Sequence, residues 1–179
     1  MSQRAVEAVK EKLSKAVIET HDHCGDDTLV VKAKELGKVI DCLKDELHFD
    51  MCADVCGADY PDRKERFEVV YHLLSTRNWE RVRVKVSLPE KKPVVDTISD
   101  RYALANWWER EVYDMFGIEF ADHPNLKRIL MPDDWEGWPL RKDFPLGGVK
   151  SFYYKRDTHP HDGEPEDLIP RIRVQTGDI

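Results

Sequence analysis

The sequence predicts an α+β fold, an antiparallel β-meander packed on helices and followed by an extended Pro-rich C-terminal segment. Three observations carry this. Apolar residues recur at three- and four-residue steps in the first half of the chain. The period then switches to two across three runs between residues 47 and 88. Finally, seven of the ten prolines lie beyond residue 120.

Ala5, Val6, Val9, Leu13 and Val17 form one apolar stripe, which predicts an amphipathic helix over residues 2–17. "TLVVK" (28–32) is a short β-prone run, and Leu36, Val39, Ile40, Leu43 and Leu47 form a second helical stripe. Leu47, Phe49, Met51, Ala53 and Val55 then alternate with His48, Asp50, Cys52, Asp54 and Cys56, as expected of a half-buried strand. Phe67, Val69, Tyr71 and Leu73 alternate again, and so do Val82, Val84, Val86 and Leu88. The connections "GADYPDRKER" and "STRNW" are turn-like, so the three runs read as a meander with one face on helices. Its outer face is acidic on the first strand (Asp50, Asp54) and basic on the third (Arg81, Arg83, Lys85).

Ser99 is the expected N-cap of a further helix and Gly117 its C-cap. Leu104, Ala105, Trp108, Val112 and Met115 share a face, and Glu111 falls on or beside that stripe. A carboxylate there must be paired or bear a desolvation cost of several kcal/mol. Arg110 and Asp114, four residues apart, are placed to pair within the helix. Past residue 120 no helical period is sustained, yet Leu126, Ile129, Leu130, Met131, Trp135, Trp138, Leu140 and Phe144 are present. A disordered tail avoids so many large apolar residues. The division read from this is an α+β domain over 1–120 and an extended partner-wrapping segment over 121–179. Residues from about 146 are expected to gain protection only in an assembly. Aromatics beside charges in the helix and the segment suit a subunit interface.

Composition narrows the function. The chain has 179 residues, 41% apolar and 35% charged, with a net charge of −7. That balance disfavours nucleic acid, whose binding needs a basic surface. No apolar run approaches the ~18 residues of a membrane span. The N-terminus has no apolar h-region, so the chain is expected in the cytoplasm with its four cysteines reduced. There is no CxxC pair, glycine-rich phosphate loop or Ser–His pattern. Cys52 and Cys56 share a strand face but lie ~13 Å apart by strand rise. "HDHC" (His21 to Cys24) is the best metal candidate, without a second ligand pair spaced for zinc. His123 reads as an interface histidine, with proton transfer as a further role. Glu109, Glu111 and Asp114 are the candidates for acid/base work.

"EREVYDMFGIEFADHPNLKRILMPDDWEGWPLRKDFP" (109–145) resembles the signature of the 30 kDa or C subunit of respiratory complex I, the NADH–quinone oxidoreductase. Glu109, Arg110, Glu111, Asp114, His123, Arg128, Trp135, Arg141, Lys142 and Asp143 all stand at positions of that pattern. "ADYP" (58–61) and "ERFEVVYHLLS" (65–75) are also similar to the family. The resemblance implies a non-catalytic peripheral-arm subunit on the cytoplasmic side of a bacterial inner membrane, touching the membrane only through its complex. Its partners would be complex I subunits D, B and I, with docking on the first of these and the other two nearby. It would bind no cofactor, while NADH, FMN, iron–sulfur clusters and quinone belong to the whole complex. Those ten residues are then partner-binding or structural, and the acids and arginines are expected to form a partly buried network at the surface meeting the D subunit. The same domain recurs in membrane-bound hydrogenases and plastoquinone-reducing complexes, which is one alternative. A small metal-binding enzyme using His21–Cys24 is the other.

Overall fold

The structure, a computed structural model, describes residues 2–145. Helix α1 (Gln3–Lys12) buries Ala5, Val6 and Val9. It is shorter than its apolar stripe, because Val17 opens a strand instead. Strands β1 (Val17–His23) and β2 (Asp26–Val31) form an antiparallel hairpin. Its turn is Cys24–Gly25, with φ of 56° and 83°. Two left-handed residues in a two-residue loop match the right-handed twist of the flanking strands. "HDHC" is thus the end of β1 plus the first turn residue.

After a 3₁₀ turn (Ala33–Glu35), helix α2 (Leu36–Asp41) runs into a π-helical turn (Cys42–Glu46). Leu36, Val39, Ile40 and Leu43 are fully buried, as their spacing predicts. Strands β3 (Met51–Asp59), β4 (Phe67–Ser75) and β5 (Glu80–Leu88) form the expected antiparallel meander. The sheet is larger than the meander: β2 pairs parallel with β5, which gives the order β1-β2-β5-β4-β3. The parallel pairing escapes a reading of short turns, because its crossover is the whole of α2, β3 and β4.

On β4 and β5 the predicted parity holds, with Phe67, Val69, Tyr71, Leu73, Val82, Val84, Val86 and Leu88 all buried. On β3 it does not. Cys52 and Val55 are buried while Met51 and Ala53 are exposed. A bulge between Cys52 and Asp54 shifts the register by one residue, and a one-residue slip exchanges the two faces. Cys52 and Cys56 therefore lie on opposite faces. The basic strand β5 is paired mainly by acids of β2 and β4. Lys85 meets Glu68 at 3.0 Å, and Arg83 and Arg81 meet Asp26 at 3.1 and 3.4 Å.

Helix α3 (Ala105–Phe116) lies on the inner face against β3. Gly57 lets the Phe116 ring approach: a Cβ there would stand 2.7 Å from it. Gly117 caps the helix at φ 69°, its N–H bonded to the Tyr113 carbonyl at 2.8 Å. Ser99 is not the N-cap. Residues 98–105 form successive turns, and the helix starts from Leu104 without a side-chain cap. Strands β6 (Val94–Asp96) and β7 (Glu119–Ala121) form a small parallel pair that brackets α3. Residues 121–145 pack on α3 and belong to the same unit as the sheet. The rest of the predicted 121–179 segment, from residue 146, lies outside the described residues.

Candidate interaction site

The charged signature is organised by the rotation of α3. Ala105, Glu109, Val112 and Phe116 follow one another at four- and three-residue steps, and all are buried. The inward line is therefore turned about one residue from the expected one. Leu104 is 55% exposed and Glu111 lies in solvent. Glu111 needs no partner. On α3 the buried acids are Glu109 and Asp114, both fully enclosed.

Glu109 accepts hydrogen bonds from the Ile98 N–H at 2.8 Å and from the Thr97 hydroxyl. It thereby ties the turn preceding α3 to the middle of that helix. Burial pushes its pKa up to about 7 against those two bonds, which favour the anion. His123 Nε2 lies 3.8 Å away, too far for a hydrogen bond. His123 Nδ1 accepts the Asn125 N–H at 3.1 Å, so Nε2 carries the proton and donates to the Asn106 carbonyl at 3.2 Å. Burial lowers its pKa.

Asp114 does not pair with Arg110. Its carboxylate receives Arg128 Nη1 at 2.6 Å and the consecutive N–H groups of Ile129, Leu130 and Met131 at 3.0, 2.8 and 2.8 Å. Burial would raise this carboxyl. The three N–H groups and the guanidinium outweigh it and hold it below the usual carboxylate range. Arg128 also donates to the carbonyls of Trp135 and Gly137, both at 3.1 Å, and stands 4.6 Å over the Trp138 ring. Arg110 instead reaches the carbonyls of Lys127 and Arg128, both at 3.1 Å, and lies 5.2 Å over Trp107. The i,i+4 pair is favoured by local spacing, but a buried carboxylate facing three free N–H groups is the better-satisfied arrangement.

A second node fastens the end of the segment. Arg66 forks onto Asp59 at 2.7 and 2.9 Å and reaches Glu90 at 2.8 Å and Asp143 at 3.0 Å. The Lys142 N–H also bonds Asp59, at 2.8 Å, while the Lys142 side chain faces solvent. Arg141 Nε donates to the Phe116 carbonyl at 2.5 Å, with its guanidinium 4.8 Å over Phe67. Trp135 stacks on Phe144 at 6.2 Å, and Trp138 meets Tyr113 edge-on at 5.2 Å. Asp59, Arg66 and Thr97 are site residues that the sequence reading does not single out. Asp59 and Arg66 stand in the stretches "ADYP" and "ERFEVV". Nothing local shows that they face each other across the turn.

Around these anchors the surface carries large apolar side chains. Trp107 is 58% exposed, Leu130 60% and Leu140 51%. Among the described residues, no three His, Cys, Asp or Glu side chains converge as a metal site. Burial raises the Cys52 thiol to about 12 and the Cys56 thiol to about 11, which disfavours thiolate ligation. No described helix is long and apolar enough to cross a membrane.

Fold and site together define an α+β domain that uses buried acids and arginines to fasten a proline-rich extension to its own helix. Residues 29–150 match the family described as the respiratory-chain NADH dehydrogenase 30 Kd subunit. The NADH-quinone oxidoreductase C subunit of Citrifermentans bemidjiense is 45% identical, over 85% of this chain and 94% of that protein. The corresponding C subunit of Paramagnetospirillum magneticum is 44% identical over 93% and 85%. A trypsin-resistant fragment of Nqo5 superposes with a TM-score of 0.60 at 34% identity, covering 69% of this chain and 98% of the fragment. A chain of the archaeal membrane-bound sulfane sulfur reductase shares the fold, with a TM-score of 0.70 at 24% identity, over 88% and 98%. The chain belongs to the 30 kDa subunit family of respiratory-chain NADH dehydrogenase.

Proposed function

We propose that this chain is the non-catalytic C subunit of a proton-pumping NADH–quinone oxidoreductase. It docks on the D subunit near the B and I subunits, in the peripheral arm on the cytoplasmic side of a bacterial inner membrane. It binds no cofactor itself. NADH, FMN, the iron–sulfur clusters and quinone are held by other subunits, and its part in electron transfer is to hold the arm together. One observation supports this above the others. Apart from the solvent-facing Glu111, the acids and arginines of the signature spend their bonds within the chain, while Trp107, Leu130 and Leu140 beside them stay exposed. Ordered backbone topped by solvent-facing aromatic and aliphatic groups suits a docking surface.

The test uses membranes of a strain carrying Trp107→Glu with Leu130→Glu. The expected result is less assembled complex on native gels with unchanged NADH:quinone turnover per assembled complex. Normal assembly with lost turnover would overturn the reading. Activity with NADH as donor also separates it from a hydrogenase-type or plastoquinone-reducing host.

A further inference from the structure

The outward line of α3 holds a signature acid that folding leaves unused. Leu104, Trp107 and Glu111 follow one another at three- and four-residue steps, and all are exposed. They stand beside the seam where Arg110 and Asp114 meet residues 127–131. Glu109, Asp114 and Asp143 are bonded within the chain. Glu111 makes no hydrogen bond or ion pair with any described residue. Arg110, its neighbour in sequence, is anchored instead to two backbone carbonyls, with its guanidinium 5.2 Å from the centroid of the Trp107 ring. More than half of Trp107 still lies open to solvent, at 58% exposure.

The acid excess of the chain is concentrated around this line. Between residues 104 and 140 eight acids stand against three bases, which is five of the seven net negative charges. Glu109 is buried and Asp114 is matched by Arg128, which leaves six exposed acids against Arg110 and Lys127. Asp133 and Asp134 follow Leu130 in the turn that Arg128 holds through the Trp135 and Gly137 carbonyls. Asp122 precedes His123, which is bonded to α3 at Asn106. Acids thus border the exposed Trp107 and Leu130 from the helix and from the segment alike. The basic Arg141 and Lys142 lie past the far end of α3, with Arg141 on the Phe116 carbonyl, ~13 Å along the axis from Trp107.

We infer that Trp107 and Glu111 receive an arginine from a segment of the neighbouring subunit in which basic side chains accompany apolar ones. At four-residue spacing their Cβ atoms stand about 5–6 Å apart, within the span of one guanidinium group. The guanidinium plane stacks on the open part of the indole ring and forks onto the Glu111 carboxylate. A lysine ammonium serves one of these groups at a time, so arginine is the cation that fits. Leu104 and Leu130 meet the apolar side chains, and the exposed acids around them select a basic partner and repel an acidic one. Resting on the docking surface proposed above, this names the chemistry of what docks there.

The experiment places a benzophenone amino acid at position 104 of the full chain in membranes, and in parallel at position 130. Irradiation from position 104 is expected to capture one subunit at a peptide containing arginine. Glu111→Arg weakens co-purification of that subunit about tenfold or more, and exchange of the captured arginine for glutamate in the same strain restores it. Trp107→Leu, which keeps apolar area but loses the ring face, weakens it as well. The melting temperature of the isolated chain is unchanged by Glu111→Arg, because the side chain has no partner in the fold. Five outcomes overturn the inference: no product from position 104, capture of a lipid, of a second copy or of a peptide without arginine, undiminished co-purification in Glu111→Arg, a loss that tracks a lowered melting temperature, or no recovery on the charge exchange. A subunit still captured from position 130 in any of these cases leaves the docking reading standing, whereas no product from either position strikes both.

Discussion

Asp114 and Arg128 meet at 2.6 Å across the seam between α3 and the segment that follows it, the carboxylate fully buried and the guanidinium side chain 13% exposed. Three further N–H groups converge on the same carboxylate. Its removal leaves one buried charge and three donors unsatisfied. Asp114→Ala is expected to cost about 3–5 kcal/mol, and Asp114→Asn less, since it keeps shape and one acceptor. Because the folded pKa is depressed, this stabilisation is present above the ordinary carboxylate value of ~3.9 and is lost as pH falls through the folded value. Urea midpoints of wild type and both variants at neutral pH, and of wild type down an acid series, measure this. Limited proteolysis of Asp114→Ala is expected to cut first within 121–145.

Glu109 has the opposite sign. Its folded pKa is raised from 4.5 to about 7, so between those values the folded chain keeps a proton that the unfolded chain has released. Stability from this group is fully present below pH 4.5 and is lost as pH rises through 7, by roughly 3 kcal/mol in all. His123 acts the other way, since its lowered pKa makes the fold lose stability as pH falls below 6.5. The two side chains stand 3.8 Å apart, so their titrations couple and the comparison is made in a His123→Asn background. There Glu109→Gln is expected to gain about 3 kcal/mol relative to Glu109 between pH 4.5 and pH 8. Urea midpoints at unit pH steps test it, and a pH-independent difference would mean that Glu109 titrates normally.

Gly117 and Gly25 separate backbone strain from packing. Both are left-handed, at φ 69° and 83°. A Cβ on Gly25 meets nothing within 4 Å, whereas on Gly117 it meets the Trp138 ring and comes 2.7 Å from Arg141. Gly25→Ala is expected to cost about 1 kcal/mol, from strain alone. Gly117→Ala adds displacement of Trp138 and a total of roughly 2–4 kcal/mol. Thermal melts of the two variants give the comparison, and equal costs would show that the 117 site relaxes freely.

The meander, the buried face of α2 and the Gly117 cap are legible because each is written in local period or local turn chemistry. Three features are not. The β3 bulge is one extra residue, invisible to a strict alternation, and it reverses the assignment of Cys52 and Met51. The parallel pairing of β2 with β5 depends on contacts between residues that are 55 apart, as Thr28 and Arg83 are. The inward line of α3 is hidden because Glu109, a carboxylate, occupies a core position between Ala105 and Val112. Hydropathy places the stripe where the tryptophans are, on Trp108, and only the Thr97 and Ile98 donors make the true line possible. The signature residues themselves are identifiable by their pattern. Their partners are not, since Asp114 is satisfied by backbone N–H groups that leave no trace in the sequence.

Arg66 is the strongest test of how the segment is fastened. Its fork fits Asp59 at 2.7 and 2.9 Å, and its remaining nitrogen serves Glu90 and Asp143 at 2.8 and 3.0 Å. Its side chain is 8% exposed and that of Asp59 is fully buried, whereas Asp143 is 62% exposed. The Asp59 bond therefore dominates, and Asp143→Ala is expected to cost about 1 kcal/mol or less. A lysine presents one compact ammonium and cannot fork, so Arg66→Lys is expected to cost about 2 kcal/mol or more. Arg66→Met leaves Asp59 charged and buried, at about 3–5 kcal/mol. Asp59→Asn in the Arg66→Met background then restores part of the loss, because it removes the uncompensated charge while keeping an acceptor for the Lys142 N–H. A double-mutant cycle on urea midpoints reads the coupling directly. Stability of Arg66→Lys equal to wild type, or no recovery in the double variant, would show that the fork is not what joins β3 and β4 to the C-terminal segment.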